Sequence, residues 1–147
     1  MNIQRANLMG AVLSVIILSL CCLIFVSRLS GYPKLESWLG FILILTCLPL
    51  IFLLVTATPF HRPSIYFIQI GIMIAFLVLE LLLDYIFKIE FRKITWMLII
   101  YLALFFGGTG GMIGVATLAG RIWTLCTAIL FLVMTALAFI QRAITGM

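Results

Sequence analysis

The chain has 147 residues, 66% of them hydrophobic and 9% charged, with a formal net charge of +5 and a mean hydropathy of +1.39. A soluble domain is about 45–50% apolar and about 25% charged, so no water-soluble fold of this size could hide so much apolar surface. The nine Lys and Arg residues are scattered between apolar runs, only Arg92 and Lys93 being adjacent; no basic stripe exists for a phosphate backbone to follow, which argues against a nucleic-acid partner.

The expected class is all-α: a polytopic integral membrane helix bundle, one transmembrane domain over residues 1–147. Unbroken apolar runs such as Ile42–Val55 do not fit the alternating strands of a membrane β-barrel. A bilayer core of ~30 Å takes about 20 helical residues, and five runs reach that length. The first, 7–27, follows Arg5 and ends before Arg28. It is too long for the core of a signal peptide, and no small-residue cleavage site follows it, so a retained span is expected. The second, 37–57, opens at Trp38 and ends at the turn Pro59-Phe60-His61-Arg62-Pro63. Pro49 lacks an N–H and is expected to kink this helix near mid-membrane, with Thr46 rebonding the freed carbonyl of Leu45.

The third span, 64–87, carries two acids, Glu80 and Asp84, between Tyr66 and Tyr85. The fourth, 94–118, opens at Trp96 and contains Gly107-Gly108-Thr109-Gly110-Gly111. The fifth, 122–141, opens at Trp123 and ends at Gln141-Arg142. Trp and Tyr favour the interfacial depth at which these boundaries place them. Only Ala119-Gly120-Arg121 separates the last two spans. The alternative is four spans, with residues 94–120 broken or re-entrant at the glycines.

Five spans put Arg5, Arg62 and Arg121 on one side and Arg28, Lys34, Lys88, Arg92, Lys93 and Arg142 on the other. The positive-inside rule then places the N-terminus outside and the C-terminus in the cytoplasm of a multi-pass cell membrane protein, expected in a prokaryotic cytoplasmic membrane. His61-Arg62 would lie in an external turn.

Ionisable groups in such segments are costly and point to chemistry or to a partner. At ~100° per residue, Gln69 and Glu80 point within ~20° of each other, with Asp84 ~40° beyond and Lys88 one turn later. Gln69, Glu80, Asp84 and Lys88 thus form one expected polar seam. In the plain reading, Glu80 hydrogen-bonds a neighbouring helix and Asp84 pairs with Lys88 across one turn. In the sharper one, Glu80 handles a proton or cation. No metal centre is expected, since the single histidine, His61, belongs to the opposite membrane face. Cys21, Cys22, Cys47 and Cys126 form no C-x-x-C and read as packing residues. No cofactor is expected.

On the fourth span, Ala103, Gly107, Gly111 and Gly114 share a stripe bordered by Gly110, including a G-x-x-x-G. Such residues let helices approach closely. The fifth span offers a stripe of Thr124, Ala128, Thr135 and Ala138, and the short turn between them suggests a tight antiparallel hairpin. The glycine run lacks the Gly-Lys-Ser/Thr ending of a phosphate loop.

The connections are too short for a soluble domain. The composition and the small-residue faces point to a non-enzymatic accessory, assembly or regulatory subunit. It would act by helix packing in the lipid bilayer, with a membrane protein partner or as a homo-oligomer. The second expectation is an oligomeric proton- or cation-coupled transporter or channel using Gln69, Glu80 and Asp84. The third is a lipid-processing enzyme, for which no nucleophile–base pair is at hand.

Overall fold

A computed structural model describes residues 3–57, 61–88 and 93–145, apart from the side chain of Thr145. Pro59, Phe60 and Arg92, which entered the turn and charge arguments above, lie outside the described residues. Those described are helical or sit in short turns, with no strand among them. The helices are α1 (Ile3–Ser30), α2 (Pro33–Leu45), α3 (Cys47–Thr56), α4 (Ser64–Glu80), α5 (Thr95–Thr117) and α6 (Arg121–Thr145). A π-helical turn, Leu81–Ile86, continues α4. Five segments are long and apolar enough to cross a bilayer: Ile3–Ser30, Pro33–Thr56, Ser64–Ile86, Thr95–Thr117 and Arg121–Ile144.

Local chemistry sets the element ends. Gly31 closes α1 in the left-handed region, with φ of 78°. The Tyr32 N–H bonds the Ser27 carbonyl and the Gly31 N–H bonds that of Arg28, a pairing that satisfies the last carbonyls of a helix. Pro33 then starts α2 where a missing N–H costs nothing, and Glu36 lies in the first turn.

The second span breaks at Thr46, between α2 and α3. Pro49 cannot donate to the Leu45 carbonyl, and the helix yields one turn upstream. Thr46 does not rebond Leu45 as expected. Its N–H and its Oγ1 both bond the Leu43 carbonyl, at 3.1 Å and 2.5 Å.

The glycine run does not interrupt α5, which is continuous over 23 residues. The re-entrant alternative loses the break on which it rested.

Helix α1 is central and touches α2, α3, α5 and α6, while α4 packs chiefly against α5. The core comprises Ile17, Leu18, Leu50, Ile70, Met73, Phe76, Leu77 and Met112. Ser14 ties α1 to α5 by donating to the Met112 carbonyl at 2.9 Å while also bonding its own Gly10 carbonyl. Over its most apolar stretch, 39% of α1 is buried but only 11% of α6, so α6 is the outermost strut.

The expected pairing of the α5 small-residue stripe with α6 is not what the chain adopts. Helix α5 lies closest to α4. A Cβ on Gly108 would stand 3.1 Å from the Met73 Cα, one on Gly111 3.2 Å from the Gln69 Cβ, and one on Gly114 would collide with the Gln69 amide. Gly107 faces Ile72 of α4, and Gly110 alone of the set faces α6, through Phe131. Ala103 is exposed. A helical wheel shows which residues share a face but not which neighbour that face meets.

Candidate functional site

The described polar side chains that tie different helices together concentrate where α1 ends, α2 begins, α4 ends, α5 begins and α6 ends. Asn7, whose side chain accepts from Arg62 at the other end, and Ser14, which donates to the Met112 carbonyl, are separate from this group. Glu80 stands at the last residue of α4 and is only 7% exposed. The Tyr101 hydroxyl of α5 donates to its Oε2 at 2.8 Å. Arg28 reaches across the same end. Its Nε donates to Glu36 Oε1 at 2.7 Å, its Nη2 meets the same oxygen at 2.5 Å, and its Nη1 donates to Gln141 Oε1 at 3.3 Å. One guanidinium thereby joins α1, α2 and α6. Its plane also lies over the Phe25 ring, 5.8 Å from the centroid, an additional attraction for a cation.

Two hollows meet at these residues. A crevice of about 120 Å³ is lined by Cys21, Phe76, Tyr101, Phe106, Ala138 and Phe139 among others, and carries Arg28, Glu80, Gln141 and Arg142. A wider, more polar cleft of about 410 Å³ is bordered by Glu36, Gly40, Asp84, Tyr85 and Lys88. Arg28 and Glu80 line both. Beneath the crevice the rings of Phe76, Tyr101, Phe105 and Phe25 close ranks. Phe76 lies 5.4 Å from Tyr101 and 5.3 Å from Phe105, and Phe25 lies 5.9 Å from Phe105.

No family model, curated protein or solved structure matches the chain. The geometry alone therefore carries the functional argument.

The four seam residues take separate places. Gln69 is half-buried against Gly111 and Gly114 of α5. It lies eleven residues, or roughly 16 Å of helix, from Glu80. Met73 and Phe76 fill the interval and are fully enclosed. After Glu80 the backbone widens, with the Phe87 N–H bonding the Leu82 carbonyl five residues back at 2.8 Å. The extra residue in that turn takes Asp84 off the α-helical count that put it beside Glu80. Asp84 borders the outer cleft. The helix ends before Lys88, whose φ is 51°. Lys88 is therefore not one helical turn above Asp84, and the expected i, i+4 pairing loses its geometry. Arg28 and Glu36 form an ion pair at this end.

The same turn aims Tyr85 at α2. Its hydroxyl donates to the Ser37 carbonyl at 2.7 Å, over Gly40, where a Cβ would stand 2.5 Å from the Tyr85 hydroxyl oxygen. Only a residue without a side chain allows this contact.

Sequence reasoning reached Glu80 but missed the partners around it. Tyr101 is visible as the one tyrosine of an apolar span, one to two turns in. Glu36 was visible as an acid in the first turn of a helix three residues after a proline. Gln141 marks a span boundary in the sequence, yet in the bundle it is 3% exposed. His61 stands just before α4, at the opposite end from Glu80, and no group of three or more His, Cys, Asp or Glu side chains among the described residues could hold a metal.

Proposed function

We propose that this chain is a non-enzymatic accessory subunit of a cell membrane, acting through helix packing with a membrane protein partner or a second copy of itself. Its N-terminus would face outside and its C-terminus the cytoplasm, in keeping with the cations at the Arg28 and Arg142 end. The observation that supports this reading is the use to which the inner polar groups are put. Glu80 accepts from Tyr101, Arg28 holds Glu36 and Gln141, and Ser14 holds the Met112 carbonyl. Each contact joins two helices, and those of Glu80 and Arg28 close one end of the bundle. Polar groups so engaged serve architecture.

A second reading, an oligomeric proton- or cation-coupled transporter, draws on one observation: Glu80 borders both the crevice and the outer cleft. Against it stand Met73 and Phe76, which fill the way from Glu80 toward Gln69. Purified protein in sealed vesicles separates the two. The accessory reading expects no proton or cation flux beyond that of protein-free vesicles. In native detergent extracts it also expects the chain to run in an assembly of fixed stoichiometry. Flux that Glu80→Gln abolishes would overturn it in favour of transport.

A further inference from the structure

Helices α5 and α6 are joined by a short turn and touch about midway along their length, where Gly110 faces Phe131 and the Phe106 ring lies 6.3 Å from that of Phe131. Toward the end away from that turn the crevice lies between them, with Leu98 and Leu102 on the α5 side and Ala138 and Phe139 on the α6 side. Phe139 is exposed on the outside of the bundle, so the opening is lateral, toward whatever surrounds the helices.

The mouth carries a cation with nothing to hold. Arg142 lines the crevice and is exposed. It has no hydrogen bond or ion pair with another described residue, in contrast to Arg28, which is engaged by Glu36 and Gln141. Around it, the described residues of this end include five cations, Arg28, Lys34, Lys88, Lys93 and Arg142, against three carboxylates, Glu36, Glu80 and Asp84. Basic pockets between membrane helices attract anionic headgroups. A guanidinium also presents the planar fork that fits a phosphate.

We infer that this crevice binds one anionic phospholipid, its phosphate on Arg142 and the upper part of an acyl chain between α5 and α6. The dimensions agree. From Leu98 to Phe106 the wall is roughly 12 Å deep. The volume of this open crevice, about 120 Å³, falls below the ~150 Å³ apolar cavity that admits a benzene ring. It takes a narrow chain and leaves a headgroup at the mouth. A free anion would gain nothing from walls of Leu102, Phe106 and Phe139. This site goes beyond the accessory reading and does not depend on it.

The test uses the full-length protein reconstituted in phosphatidylcholine containing a minor share of phosphatidylglycerol, extracted in mild detergent and weighed by native mass spectrometry. One phosphatidylglycerol per chain should be retained, enriched about tenfold over its share of the membrane, the ratio that about 1.4 kcal/mol of preference sets. Arg142→Gln should remove that enrichment. Ala138→Trp, which fills the crevice wall and leaves Arg142 in place, should remove the retained lipid altogether. Arg121→Gln, at the other end of α6, should change nothing. Circular dichroism of each variant checks that the helices persist. Equal retention of both lipids, or enrichment that survives either Arg142→Gln or Ala138→Trp in a folded protein, would overturn the proposal. So would displacement of the lipid by inorganic phosphate alone, which would mean an anion site with no role for the chain.

Discussion

Replacing Tyr101 by Phe removes one oxygen from the bundle and little else. The ring still packs against Phe76, 5.4 Å away, and lies parallel to Phe105. What is lost is the donor to Glu80 Oε2 at 2.8 Å, on a carboxyl that is 7% exposed. A hydrogen bond to a charged group contributes about 1.5–3 kcal/mol in soluble proteins, whereas side-chain bonds between membrane helices average about 0.6 kcal/mol. Glu80 has contacts besides Tyr101, so a value between these two figures applies. The expected loss is about 1 kcal/mol, a fivefold shift in the unfolding equilibrium. The assay is unfolding in mixed micelles titrated with sodium dodecyl sulfate and followed by helical circular dichroism. A double-mutant cycle with Glu80→Ala isolates the pair: Tyr101→Phe should cost nothing further once the carboxyl is gone. Additive losses would refute the claim that the hydroxyl acts through Glu80.

Further outcomes follow from the same geometry. Gly108→Val should cost about 1–3 kcal/mol by pressing on the Met73 backbone, whereas Gly71→Val, whose Cβ meets nothing within 4 Å, should cost clearly less in the same titration. Arg28→Ala leaves Glu36 and Gln141 without their shared donor; because the pair is 17% and 28% exposed, the loss should be about 1–2 kcal/mol rather than that of a fully buried pair. Arg142→Ala should leave stability in detergent within about 0.5 kcal/mol, as expected of a surface substitution. Gly40→Val should expel the Tyr85 hydroxyl from the Ser37 carbonyl, seen as faster amide exchange across Leu81–Ile86 than in the unmutated chain.

The spans were legible because a bilayer imposes a length and forbids unpaired backbone, and both constraints are written as runs of apolar residues between Arg28, Pro63 and Arg121. The break at Thr46 was legible in kind from Pro49, though not in detail, since which carbonyl a threonine takes depends on how far the turn tightens. Glu80 announced itself as an acid in oil. Its setting did not. Tyr101 is 21 residues further on, Gln141 lies 113 residues from Arg28, and no periodicity connects them. The π turn after Glu80 was invisible for a related reason. A fifth-residue hydrogen bond is chosen by tertiary fit, here Tyr85 against Gly40, and an α-helical count carried past it misplaces Asp84 and Lys88. The small-residue stripe of α5 was plain on the wheel, but its neighbour was not: a short turn brings α6 near without giving it the closest contact.

The outward faces of the helices are apolar enough to meet hydrocarbon. Leu132, 67% exposed at the middle of α6, tests that most directly. A spin label on Leu132→Cys, in a chain whose four native cysteines are replaced by serine or alanine, is placed in phospholipid vesicles, and its collisions with oxygen and with a water-soluble nickel complex are compared. The account expects strong oxygen broadening and almost none from nickel, the signature of a position deep in the bilayer. Ready access to the nickel complex would contradict it.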